Sequence, residues 1–104
     1  MKFKPLGRTG VQVSELCFGT MSFGGDADEA TSAAMYKAVR DAGINFFDTA
    51  NFYSDGTSEE IVGRALTEFA RREDIVIASK VFYPMRRGRN AGGLSRKEIM
   101  FEID

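Results

Sequence analysis

The chain has 104 residues, of which 43% are hydrophobic and 28% are charged, as is typical of a small globular domain. Its formal net charge of −1 disfavours a nucleic-acid-binding protein, which would carry a basic excess, and its lack of histidine removes the commonest zinc ligand and general base. No stretch reaches the roughly 18 apolar residues of a membrane span and no signal-peptide core follows the N-terminus, so we expect a cytoplasmic protein with no membrane insertion and no bound metal.

A β-hairpin and a core strand are the first predicted elements. Residues 2–5 and 11–13 have extended character, and the two glycines between them suit the turn of a hairpin. Residues 16–20 form a short apolar run bounded by glycine, which predicts a fully buried strand. The single cysteine, Cys17, lies in this run and is predicted to be a buried structural thiol, because reactive thiols need an exposed, electropositive setting.

The next predicted element is a helix from residue 26 to about residue 42. Asp26 and Glu29 have the spacing of a capping box at its start, and Gly43 suits its left-handed C-cap. Met35 and Val39 flank an apolar stripe of small side chains, which predicts close packing on a sheet. The stripe has a four-residue spacing and consists of Ala30, Ala34, Ala38 and Ala42.

A second strand and helix repeat this pattern. The strand over residues 44–47 is predicted to end at Asp48, and the helix to follow a loop over residues 49–56. Thr57 and Glu60 have the spacing of a second capping box. The predicted inward face of the helix is apolar and consists of Ile61, Val62, Ala65, Leu66 and Phe69.

The third repeat begins with the most β-branched strand, residues 75–79, which is predicted to end at Lys80. The loop over residues 83–93 is rich in arginine and glycine, which indicates either a solvated loop or a lid that contacts an anion. Ser95 and Glu98 form a third predicted capping box, and the sequence stops about nine residues into the helix that follows.

The spacing of these units indicates an α/β fold. The strands begin near positions 16, 44 and 75, a unit of roughly 30 residues that fits a (β/α)8 barrel of about 250 residues. A doubly wound open sheet has the same alternation, but its Gly-x-Gly-x-x-Gly fingerprint is missing from the turn after the first core strand. We therefore predict a partial (β/α)8 TIM barrel, in which residues 1–104 are the N-terminal hairpin and the first three βα units of a single domain.

Charged side chains follow two of the predicted strands, and the carboxyl ends of barrel strands gather on one face. Asp48 and Lys80 stand at such ends, and Tyr53 lies in the loop just beyond the second strand. Taken singly, they could be a loop-capping acid, a solvated strand end and a surface aromatic. Together they predict a site in which Asp48 positions Lys80, and the Lys80 cation makes the Tyr53 phenol a better general acid.

Four segments of the sequence resemble the aldo-keto reductase family. Residues 47–53, FDTANFY, are similar to the signature around its catalytic tyrosine, and residues 77–80, IASK, to the strand that supplies its lysine. Residues 6–11, LGRTGV, and 18–21, FGTM, resemble the start of the same family, especially its potassium-channel β-subunit-like and aryl-alcohol-dehydrogenase-like branch.

The resemblance implies that NADPH, or less often NADH, binds and that a hydride passes to the carbon of an aldehyde or ketone. Tyr53 would protonate the developing alkoxide, Lys80 would tune Tyr53, and Asp48 would hold Lys80. The nicotinamide and ribose end of the cofactor would be lined by Gly19, Thr20, Met21 and Asp48. The cofactor carries the difficult chemistry, and the protein orients it.

The chain departs from the family pattern after its third unit. The family's carbonyl-orienting histidine follows the next strand, and its grip on the cofactor phosphates comes from the last strands. We therefore expect the chain alone to be inactive, to lack NADPH and to self-associate through open strand edges and apolar faces. Two other functions stay open: a regulatory subunit of the channel β-subunit type, and a short product that acts as an assembly fragment or has no function.

Overall fold

Five strands in two sheets run through residues 1–103, the part of the chain that the structure, a computed structural model, describes. β1 (Phe3–Pro5) and β2 (Gln12–Ser14) form the predicted antiparallel hairpin. β3 (Phe18–Gly19), β4 (Phe46–Asp48) and β5 (Val76–Ala78) form a parallel sheet in the order β3, β4, β5. Each core strand is shorter than its prediction, but order and direction agree with a repeated βα unit.

An α-helix follows each of the three core strands. α1 spans Glu29–Asp41, α2 spans Thr57–Phe69 and α3 spans Arg96–Ile103. Short 3₁₀ turns lie at Tyr53–Gly56 and Arg72–Asp74. This alternation is that of an α/β protein. No helix among residues 1–103 has the length and apolar character needed to cross a membrane.

The hydrophobic core lies between α1, α2 and one face of the parallel sheet. Phe47 of β4 is fully buried and stacks on Tyr36 of α1, with 4.7 Å between their ring centroids. The predicted inward face of α2 is confirmed, with Phe69 only partly buried and the other four positions buried: Ile61, Val62, Ala65 and Leu66. Because strand side chains alternate, the residue after Phe47, Asp48, lies on the opposite face of the sheet.

The predicted packing face of α1 is wrong. Its four alanines are exposed, whereas Ser32 and Tyr36 are buried and Met35 and Val39 are partly buried against the core. The helix is rotated so that the Tyr36 ring packs inward, because burying an aromatic ring removes far more apolar surface from water than burying alanine methyl groups.

The N-cap of α1 also differs from its prediction. Asp28, not Asp26, caps the helix, and its Oδ1 accepts a hydrogen bond of 2.8 Å from the Thr31 N–H. Ala27 is buried and bridges to Phe23, so the chain enters the helix only after that contact. The predicted C-terminal glycine is confirmed: Gly43 has a φ of +89°, which favours glycine.

The N-termini of α2 and α3 also differ from their predicted capping boxes. At α2 the N-cap is Gly56, with a φ of +95° and no side-chain cap, so the Thr57 prediction is wrong. At α3 the Ser95 hydroxyl accepts from the Glu98 N–H at 3.1 Å, as predicted. The Glu98 carboxylate does not return to the cap but pairs with Arg86, because a buried carboxylate needs a charged partner.

The second face of the parallel sheet is open. The molecule measures 45 × 36 × 19 Å and exposes 7003 Å², where a compact protein of its mass exposes roughly 5,800 Å². Leu16 is 59% exposed and Cys17 is exposed, so the predictions of a fully buried first strand and a buried thiol are wrong. Both predictions assumed a cover on each face, whereas α1 and α2 cover only one.

Candidate active site

Asp48, Tyr53 and Lys80 meet at the carboxyl ends of β4 and β5. Lys80 Nζ lies 2.7 Å from Asp48 Oδ2 and 3.1 Å from the Tyr53 hydroxyl oxygen. It also lies 4.9 Å from the centroid of the Tyr53 ring, within the range of a cation–π contact. The Lys80 and Asp48 side chains are 47% and 37% exposed, so solvent and a ligand can reach them. The structure thus brings together the three side chains that the sequence predicts as catalytic.

Strand register and a tight turn place these three groups. Asp48 pairs with Ala78 in the parallel ladder and Lys80 lies two residues further on, so side-chain alternation directs both to the same face. Tyr53 precedes Ser54 and Asp55, which have left-handed backbone with φ of 49° and 53°. Such backbone costs roughly 1–2 kcal/mol at a residue with a side chain, and strain of this kind concentrates at functional sites.

The hydrogen-bonding capacity of Lys80 fixes the direction of each contact. An ammonium group has three protons and no acceptor, and here the three protons go to Asp48 Oδ2, the Tyr53 hydroxyl and the Thr49 carbonyl, the last at 2.9 Å. Tyr53 is therefore the acceptor in its contact with Lys80. Its own proton points elsewhere and can be donated to another oxygen.

The environment of Lys80 favours its charged form. Partial burial lowers the pKa of Lys80, but the hydrogen bonds with Asp48 and Tyr53 and the charges of these two groups act in the opposite direction and outweigh it. The pKa of Lys80 therefore lies above the ordinary lysine value of 10.5. Lys80 remains a cation throughout the neutral pH range, which is the form that supports an anionic phenol oxygen.

We expect the Lys80 amine to titrate above the ordinary lysine value, and the Asp48→Asn substitution to lower its pKa by removing the anionic partner. The pKa of Lys80 is higher in the folded state than in the unfolded state. The stabilisation from Lys80 is therefore complete below pH 10.5 and is lost as the pH rises through the folded-state pKa. Nuclear magnetic resonance of the Lys80 ε-carbon measures both effects. Asp41→Asn, which removes the partner of Lys37, is the control and should leave Lys80 unchanged. Titration of Lys80 at or below the ordinary value would contradict the expectation.

The residues predicted to line a cofactor lie beside Asp48. Gly19 is exposed and pairs with Asp48, and a Cβ added there would meet no atom within 4 Å. Met21 is also exposed. Thr20 is fully buried, and its hydroxyl donates to the Asp48 carbonyl at 3.2 Å. Gly19 and Met21 therefore border the open face, whereas the Thr20 side chain supports Asp48 from the interior.

Three aromatic side chains beside Tyr53 were not predicted from the sequence. Phe52 lies 5.2 Å from Tyr53 and 4.6 Å from Tyr83 between ring centroids, and Phe82 lies 5.3 Å from Tyr83. All three are exposed. Their signal in the sequence is the occurrence of aromatic residues in two loops that follow neighbouring strands, and exposed apolar clusters of this kind mark binding surfaces.

The arginine-rich loop is held by an internal ion pair. Arg86 Nη2 lies 2.5 Å from Oε2 of Glu98, which is fully buried, and the Gly92 N–H donates to the other carboxylate oxygen at 3.1 Å. Arg86 is thus engaged within the chain, and Arg87 and Arg89 are exposed to solvent. This arrangement favours the interpretation as a solvated loop over that of an anion contact at Arg86.

Comparison with known proteins finds one matching family model and several similar sequences. The model of the Aldo/keto reductase family matches residues 15–104. The chain is 44% identical over 102 residues to a probable voltage-gated potassium channel subunit beta from Oryza sativa subsp. japonica, covering 96% of this chain and 31% of that protein. It is 41% identical over 107 residues to a putative aryl-alcohol dehydrogenase from Schizosaccharomyces pombe, covering 92% of this chain and 30% of that protein.

A solved structure agrees with these relatives. The chain superposes on aldo-keto reductase AKR11C1 from Bacillus halodurans in its holo form with a TM-score of 0.85 and 37% sequence identity. The superposition covers 99% of this chain and 34% of that one. The chain therefore spans about a third of the length of the proteins that it matches.

Proposed function

The chain belongs to the aldo/keto reductase family, and on this basis we propose that it carries the proton-donor part of a nicotinamide-dependent carbonyl reductase. The observation that carries the proposal is the position of Lys80 Nζ, 2.7 Å from Asp48 Oδ2 and 3.1 Å from the Tyr53 hydroxyl. A tyrosine general acid becomes a phenolate when it gives up its proton. An ammonium group that contacts both a carboxylate and the phenol oxygen stabilises this phenolate.

Tyr53 acts as the general acid in this mechanism. Its O–H proton passes to the carbonyl oxygen as the carbonyl carbon accepts a hydride, so the negative charge ends on the phenol oxygen and not on an alkoxide. Lys80 already donates to that oxygen and stabilises the phenolate. Asp48 balances the charge of Lys80 and fixes its direction. Because the Lys80 side chain is about half exposed, water can return a proton to Tyr53 after each turnover.

The residues beside Asp48 fit the nicotinamide end of NADPH. Gly19 leaves open space where a flat ring can approach the backbone, and Met21 and Asp48 flank that space. When bound, the reduced nicotinamide supplies the hydride. NADPH is the proposed cofactor, with NADH as the second choice, because the resemblance to the family implies NADPH more often than NADH.

The proposed complete fold is a (β/α)8 barrel, of which this chain forms the hairpin and the first three βα units. The TM-score of 0.85 over a third of a solved reductase supports this placement. In such a barrel the face that carries Asp48 and Lys80 is the interior, and the carboxyl ends of the strands surround the substrate. The proposed location is the cytoplasm, which agrees with a single exposed thiol and no internal disulfide.

The open face also leads us to expect an inactive chain when the 104 residues stand alone. Its interior face is uncovered, so the isolated chain is expected to self-associate and neither to bind NADPH nor to reduce an aldehyde. Titration with NADPH, followed by cofactor fluorescence, measures cofactor binding, and size-exclusion chromatography measures self-association. A stoichiometric blue shift from a monomeric species would contradict it.

Aryl aldehydes are the proposed substrate class. The exposed rings of Phe52, Tyr83 and Phe82 form a row of contacts that begins at the proton donor, and they offer aromatic faces on which a flat substrate can stack. The similarity to a putative aryl-alcohol dehydrogenase favours the same class. Aromatic rings at the rim of a site hold such a substrate by stacking while the carbonyl oxygen faces the Tyr53 hydroxyl.

A chimera tests the proposed function. In it, this chain replaces the matching third of the Bacillus halodurans reductase, so the remainder of the barrel comes from that protein. We expect the chimera to reduce 4-nitrobenzaldehyde with NADPH, and the unmodified Bacillus protein under the same conditions is the control. A folded chimera that binds the nicotinamide cofactor without reducing any aldehyde would contradict the proposal.

A regulatory subunit of a potassium channel is the second candidate function. It is favoured by the 44% identity to a probable channel subunit beta over 96% of this chain. In this alternative, the cofactor fold is kept mainly for interaction with a channel. Co-purification of the chimera with a potassium channel, together with no turnover of 4-nitrobenzaldehyde by the chimera, would favour this candidate over the reductase.

A further inference from the structure

Three hydroxyl side chains are buried next to the Asp48–Lys80 pair. Thr20 follows β3, Thr49 follows β4, and Ser58 lies in the first turn of α2. None of the three is more than 2% exposed. A buried hydroxyl group is costly unless it is hydrogen-bonded, so these three hydroxyl groups must bond to one another or to the backbone.

Ser58 connects the other two hydroxyl residues. Its Oγ lies 2.7 Å from the Thr20 carbonyl oxygen, which can only accept, so the Ser58 proton is directed there. Ser58 Oγ also lies 3.2 Å from Thr20 Oγ1 and 3.4 Å from Thr49 Oγ1. With its own proton used, Ser58 accepts from Thr49, and the ends of β3 and β4 are joined to α2 through one oxygen atom.

This cluster holds the peptide between Asp48 and Thr49. The Thr20 N–H donates to the Asp48 carbonyl at 3.0 Å and its hydroxyl donates to the same oxygen at 3.2 Å. On the other side, the Thr49 N–H donates to the Ala78 carbonyl at 2.8 Å. The peptide is thereby fixed from β3, from β5 and, through Ser58, from α2.

The two residues that this peptide joins supply two of the three acceptors of Lys80. The Asp48 carboxylate and the Thr49 carbonyl lie 2.7 and 2.9 Å from Lys80 Nζ. Because an ammonium group has a tetrahedral set of donors, the positions of these two acceptors fix where the third proton points. That third proton is the one received by the Tyr53 oxygen.

We propose that Ser58 is a positioning residue for this site: it fixes the Asp48–Thr49 peptide and thereby the direction of Lys80 toward Tyr53. Ser58 acts through Thr20 and Thr49 and not by touching the substrate. The proposal rests on the proposed reductase function, in which Lys80 supports the Tyr53 phenolate. It also gives the buried Thr20 hydroxyl a supporting role inside the fold, where the sequence had placed Thr20 at the cofactor.

The test compares two variants of the chimera, Ser58→Ala and a control substitution at another buried serine. We expect Ser58→Ala to lower kcat for 4-nitrobenzaldehyde about 10-fold and to leave the KM for NADPH within about twofold, because it misaligns Lys80 without removing a ligand contact. The pKa of Lys80 is expected to fall toward the ordinary lysine value. Ser32→Ala is the control: Ser32 is equally buried and donates to the Ala27 carbonyl at 3.3 Å, but it lies on α1. It should change neither kcat nor the Lys80 titration.

A second variant covers the case in which Ser58→Ala does not fold. Thr20→Val keeps the shape of the side chain and removes only the hydroxyl that donates to Asp48, and we expect kcat and the Lys80 titration to shift in the same direction. If Ser58→Ala and Thr20→Val both behave like Ser32→Ala, the positioning role is wrong. If the unsubstituted chimera folds and binds the cofactor but reduces no aldehyde, the reductase proposal fails by itself, and the pKa of Lys80 in these variants still decides the positioning role.

Discussion

Replacement of Tyr53 by phenylalanine should lower the kcat of the chimera for 4-nitrobenzaldehyde by about 10²- to 10⁴-fold, the usual contribution of a general acid. The substitution removes an O–H group whose oxygen accepts a hydrogen bond from Lys80 and whose own proton is therefore available for the substrate. The ring remains beside Lys80 and Phe52, so substrate binding and the KM should change little. Steady-state turnover, followed by the absorbance of the nicotinamide, measures both constants.

Tyr83→Phe is the matched control for this prediction. The Tyr83 ring packs on Phe52 at 4.6 Å, so it belongs to the same aromatic surface as Tyr53. The three protons of Lys80 go to other groups, however, so the Tyr83 phenol does not receive the hydrogen bond from Lys80 that stabilises a phenolate. We expect Tyr83→Phe to leave kcat close to that of the unsubstituted chimera. Equal losses in the two variants would show that the loss does not depend on the contact with Lys80, and would contradict the role of Tyr53 as the proton donor.

The position of the candidate site could be predicted from the sequence because parallel strands aim their carboxyl ends in one direction. Asp48 and Lys80 stand at the ends of two consecutive apolar strands, and the strand register brings them onto one face. The sequence placed Tyr53 only in the loop beyond the second strand, since its exact position depends on a left-handed turn at Ser54 and Asp55 that propensities do not predict. The contact of these groups at 2.7 and 3.1 Å agrees with the predicted pairing.

Other features could not be predicted because they depend on which surfaces are covered. The alanine stripe of α1 has helical periodicity, but the Tyr36 ring buries more apolar surface than the alanine methyl groups. Tertiary packing therefore determines the rotation of the helix about its axis. Cys17 lies in an apolar run whose outer cover is missing in this chain, so its exposure does not follow from its neighbours in sequence. The role of Ser58 depends on long-range contacts with Thr20, 38 residues away, which no local pattern encodes.

Phe47→Ala should cause the largest loss of stability, lowering the free energy of unfolding by about 3–5 kcal/mol, as large-to-small substitutions in protein cores do. Phe47 is fully buried in the central strand of the parallel sheet, stacks on Tyr36 at 4.7 Å and lies edge-on to Phe18 at 6.4 Å, so its removal leaves a cavity between α1 and the sheet. Urea unfolding of the chimera measures the change. Phe3→Ala is the control, since Phe3 is a half-exposed phenylalanine of the hairpin, and it should cost much less.

This loss should also reach the site, because Phe47 and Asp48 are consecutive residues of β4 with side chains on opposite faces. Packing of the Phe47 ring against Tyr36 fixes the rotation of the strand, and that rotation directs the Asp48 carboxylate toward Lys80. We therefore expect the fraction of Phe47→Ala that remains folded to have a lower kcat than Phe3→Ala. A folded Phe47→Ala variant with unchanged kcat would show that the hydrogen bonds donated by Thr20 and accepted by the Ala78 carbonyl are sufficient to orient the Asp48–Thr49 peptide.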